Sequence, residues 1–387
     1  MKQPRLAVGG ILSLWIVGNS ALAQTWTQTQ APTKQWTCMA SSADGSKLVA
    51  LTPAEGAWTS TNWGNDWVSN ALPSENWASV ASSADGTRLA AAMAYPSIGP
   101  IYLSTDSGAT WNPANVTNTY WASIASSADG QKLVADTSNG SGLGAVWTST
   151  NAGLDWTSNS VPGTFHSYLS AASSADGSKL VIGTYGADLY KSADSGLTWV
   201  TNNVPPKMWQ ALASSADGTV LAAAVYNGPI YISTNSGVEW HTNNSPSGLW
   251  RAIAISADGT RLAALGFHVY TSTNSGASWT SNNVPTATQY ALASSADGDL
   301  LFRGVINDGI YVARSSPSPL VYLSLASGSP VVSWPVPSTN FVLQQNLNLS
   351  TGNWDVVTNE AVLNLTNLQY QVTLAPANSV FYRLATP

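Results

Sequence analysis

Ala81-Ser82-Ser83-Ala84-Asp85-Gly86 recurs, little changed, seven times along the 387-residue chain. Its Asp-Gly pair stands at Asp44-Gly45, Asp85-Gly86, Asp129-Gly130, Asp176-Gly177, Asp217-Gly218, Asp258-Gly259 and Asp297-Gly298, in steps of 41, 44, 47, 41, 41 and 39 residues. A period of this length marks a stacked or radial array of one supersecondary unit. Asp-Gly is a strong two-residue hairpin signal, because the turn needs φ > 0, which Asp tolerates and Gly adopts freely. In the unit from Trp77 to Asn118, a strand-like run to Ala84 enters that turn and Leu89 to Met93 returns from it. Ile101-Tyr102-Leu103 makes a third strand, and Ser104 to Trp111 is a tight polar turn running into a fourth.

Four short strands per repeat, with no helical periodicity, predict an all-β chain in which each repeat is one blade of a seven-bladed β-propeller. The second half of the unit recurs as well, at Ser60 to Trp67, Ser104 to Trp111, Ser149 to Trp156, Ser192 to Trp199, Ser233 to Trp240 and Ser272 to Trp279. Each reads Ser-x-Asp/Asn-x-Gly-x-x-Trp. The pattern resembles the Asp-box, or BNR repeat, of the sialidase superfamily, sortilin-type receptors and the photosystem II assembly-factor propellers. The resemblance implies a structural box on the face away from any active site. The residues agree: an Asx side chain caps its own turn, Gly takes the left-handed position and Trp anchors the hairpin.

Residues 1–23 have the pattern of a signal peptide. Lys2 and Arg5 precede an apolar run from Leu6 to Val17, and Ala21-Leu22-Ala23 before Gln24 forms a small-residue cleavage site. The expected product is secreted, periplasmic or held at the cell surface, and not inserted in the membrane, since the apolar run is too short for a stable span. The propeller should occupy residues 24–315. Thr25-Trp26-Thr27 matches the fourth-strand sequence Ser278-Trp279-Thr280, while the seventh repeat continues from Ile310-Tyr311-Val312 into Ala313-Arg314-Ser315 without a Trp-bearing fourth strand. Pairing of residues 25–31 beside that strand would close the ring and remove a sheet edge. A Ser/Pro-rich linker, 316–319, leads to residues 320–387, which read as a small β-sandwich with strands at Leu320–Leu325, Val331–Trp334, Phe341–Gln345, Asp355–Val357, Tyr370–Leu374 and Val380–Leu384. Its Val332-Ser333-Trp334-Pro335, Phe341 to Gln344, Trp354 and Phe381 to Leu384 resemble a fibronectin-like module that closes many large secreted bacterial proteins.

Composition narrows the function classes. Charged residues are 9% of the chain and the net charge is −6, becoming −8 when Lys2 and Arg5 leave with the leader. No basic stripe suits nucleic acid or an anionic membrane surface. Cys38 is the single cysteine, at a small-residue strand position, and reads as a buried inert thiol. His166, His241 and His268 are isolated, so no metal site is expected, and no phosphate-cradling loop or nucleophile elbow suggests a cofactor or an acyl-transfer centre. A sialidase-like glycoside hydrolase is the enzymatic alternative. That resemblance implies an arginine triad, a Tyr–Glu nucleophile pair and an acid/base Asp. Of the arginines beyond the leader, Arg88 and Arg261 follow Asp-Gly turns, Arg314 and Arg383 lie at the linker and in the last module, and only Arg251 and Arg303 remain. Among carboxylates, Glu55, Glu75, Asp136, Asp188 and Asp308 lie near inter-strand loops without forming an evident acid–base pair. The chain therefore reads as a non-enzymatic binding or scaffolding protein with a glycan or protein ligand. An assembly factor is a third reading, although the photosystem propellers rely on a basic patch absent here.

Eight residues before each turn Asp stand Trp36, Trp77, Trp121, Tyr168, Trp209 and Trp250, with Gln289 in the seventh repeat. These begin the first strand at the end opposite the Asp-Gly turn, on the face where the second-to-third-strand loops place Tyr95, Tyr185, Tyr226 and Phe267. Two readings fit the aromatic ring. Its members either line a mouth that stacks on sugars or grips a peptide, or wedge between blades as hydrophobic glue.

Overall fold

The computed structural model describes residues 25–314 apart from 54, 138–143, 164–167, 203, 243–244, 283 and 285–287, together with 6–8, 10–12 and the strands between 322 and 385. The expected cleavage site at 21–24 and the expected linker at 316–319 lie outside the described residues. Leu6–Val8 and Gly10–Leu12 pair as a short hairpin.

Every described element is a strand, and within each repeat the strands pair antiparallel in chain order. The first strands are Cys38–Ser41, Trp77–Ser82, Trp121–Ser126, Tyr168–Ser173, Lys207–Ser214, Ala252–Ile255 and Gln289–Ser294. They neighbour one another in that order, and the last returns to the first. The alanine of each Ser-Ala-Asp-Gly completes the ring. The N–H of Ala43 donates to the carbonyl of Ala84, Ala84 to Ala128, Ala128 to Ala175, Ala175 to Ala216, Ala216 to Ala257, Ala257 to Ala296, and Ala296 back to Ala43, all between 2.5 and 2.9 Å. The recurrence of one small residue at this place thus has a geometric cause. Neighbouring backbones must approach within hydrogen-bonding distance, and the paired amides would otherwise be left unsatisfied.

The second strands are buried along their length, as at Leu48–Thr52, Leu89–Met93 and Leu133–Thr137, and form the core with the inner faces of the third strands. Fourth strands are short and exposed, such as Val68–Asn70 and Asn112–Pro113, and the fifth repeat keeps only an isolated bridge between Ile232 and His241. In the seventh repeat Thr25–Gln28 takes the fourth place beside Ile310–Arg314, with Trp26 opposite Ala313 and Gln28 opposite Tyr311.

Beyond the repeats, seven strands form two sheets. Tyr322–Ala326, Ser329–Pro335, Gln369–Thr373 and Val362–Asn364 make one in that spatial order. Asp355–Val356, Val342–Asn346 and Phe381–Ala385 make the other. Val332, Trp334 and Val372 from the first sheet, with Leu374 just beyond it, share a core with Leu343 of the second. The strand Val362–Asn364 is absent from the expectation, because its three residues carry no alternation long enough to read.

Candidate functional site

Two kinds of turn occupy one face of the propeller. In the Asp-Gly turns the aspartate accepts from the backbone N–H two residues on, for example Thr87 N–H to Asp85 Oδ1 at 2.9 Å, and from the preceding serine. Burial works against ionisation of Asp85, but these bonds and the nearby Lys47 outweigh it and hold the carboxyl below its ordinary range. The box turns stack on these. The N–H of Trp63 donates to Ser46 O, Ser107 to Thr87 O, and Ser195 to Ser178 O. Inside each box the serine Oγ accepts from the glycine N–H (Gly108 to Ser104, 2.9 Å), the Asx oxygen accepts from the backbone four residues on, and Trp67, Trp156 and Trp199 donate Nε1–H to the glycine carbonyl. The residue before the glycine is also left-handed, as at Ser107 (φ 60°) and Ser195 (φ 59°), which single-residue turn logic does not anticipate. These bonds engage the seven turn aspartates with Asp106 and Asp194, nine of the chain's 20 carboxylates, all on this face.

The opposite face carries the expected ligand-binding ring, and there the structure corrects the mouth reading. Trp36, Trp77, Trp121, Trp209 and Trp250 are at most 4% exposed. Trp36 Nε1–H donates to Asp308 O (3.2 Å), Trp121 to Gly99 O (3.0 Å), Trp209 to Ala187 O (3.0 Å) and Trp250 to Gly228 O (2.8 Å). Each acceptor lies in the second-to-third-strand loop of the preceding repeat. The residue two before each Trp pairs with that loop residue: Lys34 with Asp308, Thr119 with Gly99, Lys207 with Ala187 and Gly248 with Gly228. This main-chain pairing sets the indole N–H against the loop carbonyl, so these four tryptophans join consecutive blades, while the Trp77 N–H is buried without a partner. The ring faces then pack on their own blade, Trp77 on Tyr102, Trp209 on Tyr231 and Trp250 on Tyr270, edge to face at 5.3–5.9 Å. A ligand cannot stack on these five rings, which are already covered on both sides. Tyr168 begins its strand at the corresponding place, and its side chain lies outside the described residues. Gln289 substitutes by donating Nε2–H to Gly266 O at 3.1 Å.

What the mouth face does expose is an arc. The position after each ring residue is Thr37, Ala78 and Ala122 in the first three repeats, but Gln210, Arg251 and Tyr290 in the last three. Arg251 lies between two rings, its Cζ 6.0 Å from the centroid of Tyr226 and 4.9 Å from that of Tyr290. The loops add Tyr185 (50% exposed) and Phe267 (63%), and across the face Tyr95 (73%) packs at a tilt against Tyr120, ring centroids 5.3 Å apart. Sequence reasoning named the four loop aromatics but passed over Gln210 and Tyr290. The available signal was departure from the repeat, since a side chain that serves every blade alike recurs and one that serves a single place does not.

The remaining candidate groups are tied locally. Arg303 is buried, donates Nη1–H to Gln289 Oε1 at 2.8 Å and lies over Trp26 (5.2 Å) and Tyr311 (4.8 Å), with burial lowering its pKa. It therefore supports the closing blade and offers nothing to a ligand. Glu55 pairs with Lys34, Glu75 accepts from Ser97 Oγ, and Asp308 accepts from the Tyr311 hydroxyl. Asp136 is buried, accepts from Ser123 Oγ at 3.1 Å and leaves Oδ1 without a partner, so burial pushes its carboxyl up to about 7. Cys38 is pushed up to about 12 by burial, consistent with an inert thiol. Among the described residues no cluster of His, Cys, Asp and Glu is placed to hold a metal ion.

No protein-family model matches the sequence, and no curated protein matches it. Solved structures do. A YCF48 bound to a D1 peptide is similar with a TM-score of 0.57 and 15% identity, over 78% of this chain and 100% of that one. The YCF48 from Cyanidioschyzon merolae gives 0.56 and 14%, over 76% and 98%. A GH74 xyloglucanase from Xanthomonas campestris gives 0.58 and 16%, over 81% of this chain, which spans 59% of that enzyme's length. At these identities the likeness shows the fold, a β-propeller.

Proposed function

We propose that this chain is an exported, non-enzymatic recognition protein: a seven-bladed Asp-box propeller over residues 24–315, carrying a fibronectin-like sandwich at 320–387 after a linker at 316–319. It takes a glycan or protein ligand on the arc of Gln210, Arg251, Tyr290, Tyr226 and Phe267. The observation that carries the reading is the asymmetry of that arc. Five of the seven ring positions, Trp36, Trp121, Trp209, Trp250 and Gln289, share one inter-blade hydrogen bond, whereas the adjacent position is small in the first three repeats and large, polar or aromatic in the last three. Arginine and tyrosine are the residues that dominate binding surfaces, where a flat ring and a fixed guanidinium fork lose little entropy on contact. The YCF48 similarity supports a protein ligand, as that propeller is seen with a peptide.

The GH74 similarity favours a second reading, a glycoside hydrolase. Hydrolysis needs two carboxyl groups facing each other across the scissile bond. On the mouth face Glu55, Glu75, Asp136 and Asp308 each have a local partner, which leaves Asp188 alone for that work. A panel of chromogenic glycosides and a glycan array, run on the same protein, separate the readings. Array binding without turnover supports recognition, and turnover of any glycoside overturns it.

A further inference from the structure

We infer that Arg251 is a carboxylate grip and that the mouth takes an acidic polysaccharide built of hexuronate rings; this rests on the recognition reading above. Several other basic side chains are already engaged. Lys34 meets Glu55, Arg261 meets Asp299, and Arg303 meets Gln289. Lys47, Lys132 and Lys179 bond serine hydroxyls on the far face. The Arg251 guanidinium has no carboxylate partner among the described residues, and its contacts are the rings of Tyr226 and Tyr290. Rings against a guanidinium plane hold its orientation and strip water from its faces while leaving the N–H edge free. That edge is the shape that binds a carboxylate with two parallel hydrogen bonds.

The exposed faces of Tyr290 and Phe267 beside it call for a flat, C–H-bearing surface. A hexuronate supplies both features on one rigid ring, a carboxylate and an apolar face, with no flexible spacer to immobilise. An acidic peptide brings its carboxylate on a rotatable stem and loses more entropy on ordering. Charge placement agrees: the Asp-Gly and box turns gather more acidic side chains on the opposite face than the mouth carries at Glu55, Glu75, Asp188 and Asp308, so an anion reaches the mouth against less repulsion than it would meet there.

The test is calorimetric titration of the full chain with hexamers of α-1,4-galacturonate and β-1,4-mannuronate, beside cellohexaose and a glutamate-rich hexapeptide. One of the uronate hexamers is expected to bind, more weakly as salt rises. Arg251→Ala should weaken it about tenfold or more, with Arg251→Lys between, because a hydrogen-bonded charge pair is lost. Alanine is the residue that repeats 2 and 3 carry at this position, at Ala78 and Ala122, so the variant should melt with the parent protein. Cellohexaose binding that Arg251→Ala leaves unchanged overturns the grip while sparing the mouth. Peptide binding in place of uronate overturns the saccharide assignment, and failure of both uronate hexamers overturns the inference outright.

Discussion

Replacing Asp136 with alanine should invert in effect between acid and alkaline pH. Asp136 sits seven residues after its turn aspartate, where the other repeats carry Leu51, Ala92, Gly183, Ala224, Leu265 and Gly304. It is fully buried, with one oxygen bonded to Ser123 and the other to nothing. Burial raises its pKa from 3.8 to about 7. The folded state therefore holds a proton that the unfolded chain has released, so stability is complete below the unfolded pKa, falls as pH rises, and reaches its floor above about 7. At 1.36 kcal/mol per pH unit the loss across that window is about 4 kcal/mol. Removing the side chain forfeits the Ser123 bond, about 1 kcal/mol, and abolishes the ionisation cost. The variant should be less stable than wild type by about 1 kcal/mol near about pH 4 and more stable by about 2–3 kcal/mol near about pH 8.5, a rise in melting temperature of several degrees. Thermal melts of both proteins across that range, compared as differences, measure it. Parallel pH profiles, or a variant that stays less stable in alkali, would refute the burial argument.

The inter-blade tryptophans supply a matched pair. Trp209→Phe leaves the Ala187 carbonyl unpaired and should cost about 1–3 kcal/mol, whereas Trp77→Phe removes an indole N–H with no partner and should cost less; denaturant midpoints rank them. Deleting residues 24–31 strips the strand beside Ile310–Arg314 and exposes a sheet edge, so the melting temperature should fall far more than on removal of residues 316–387, and equal losses would contradict closure. Asp297 is raised to about 7 by burial and by neighbouring Asp299, where the other repeats carry Thr, Ser or, once, Gln131. Asp299→Thr relieves that repulsion, so its stability relative to wild type should improve as pH rises from about 4 to about 7, and the difference between their melting curves reports it.

The repeat was legible because turn chemistry is local. Asp44-Gly45 and its six copies, and the Ser-x-Asx-x-Gly-x-x-Trp boxes, declare their backbone within a few residues, and counting them yields strands, sheet order and the face each turn occupies. Burial of the ring was not legible. Trp209 bonds a carbonyl in the preceding repeat, at Ala187, and a backbone acceptor leaves no mark on side-chain identity. Tryptophan at such a place reads equally as wedge or platform, since one side chain has both an apolar body and a polar tip. The arc was legible in principle. Arg251 and Tyr290 interrupt a column that begins Thr37, Ala78, Ala122, but attention to what recurs hides what does not. The same locality limits the last module, where Val362–Asn364 is held by its neighbour Gln369–Thr373 and has no turn signature of its own.

The central claim, that recognition belongs to the exposed arc of the mouth and not to the opposite face, is tested most directly by one array comparison. Wild type, the double variant Phe267→Ala/Tyr290→Ala and the far-face variant Leu197→Ala/Val238→Ala are printed against the same glycans and peptides after their melting temperatures are shown to agree. All four side chains are exposed, so none should cost the fold appreciably. Wild type and the far-face variant should give signal, and the mouth variant should lose it. Signal that survives in the mouth variant and disappears from the far-face variant would contradict it.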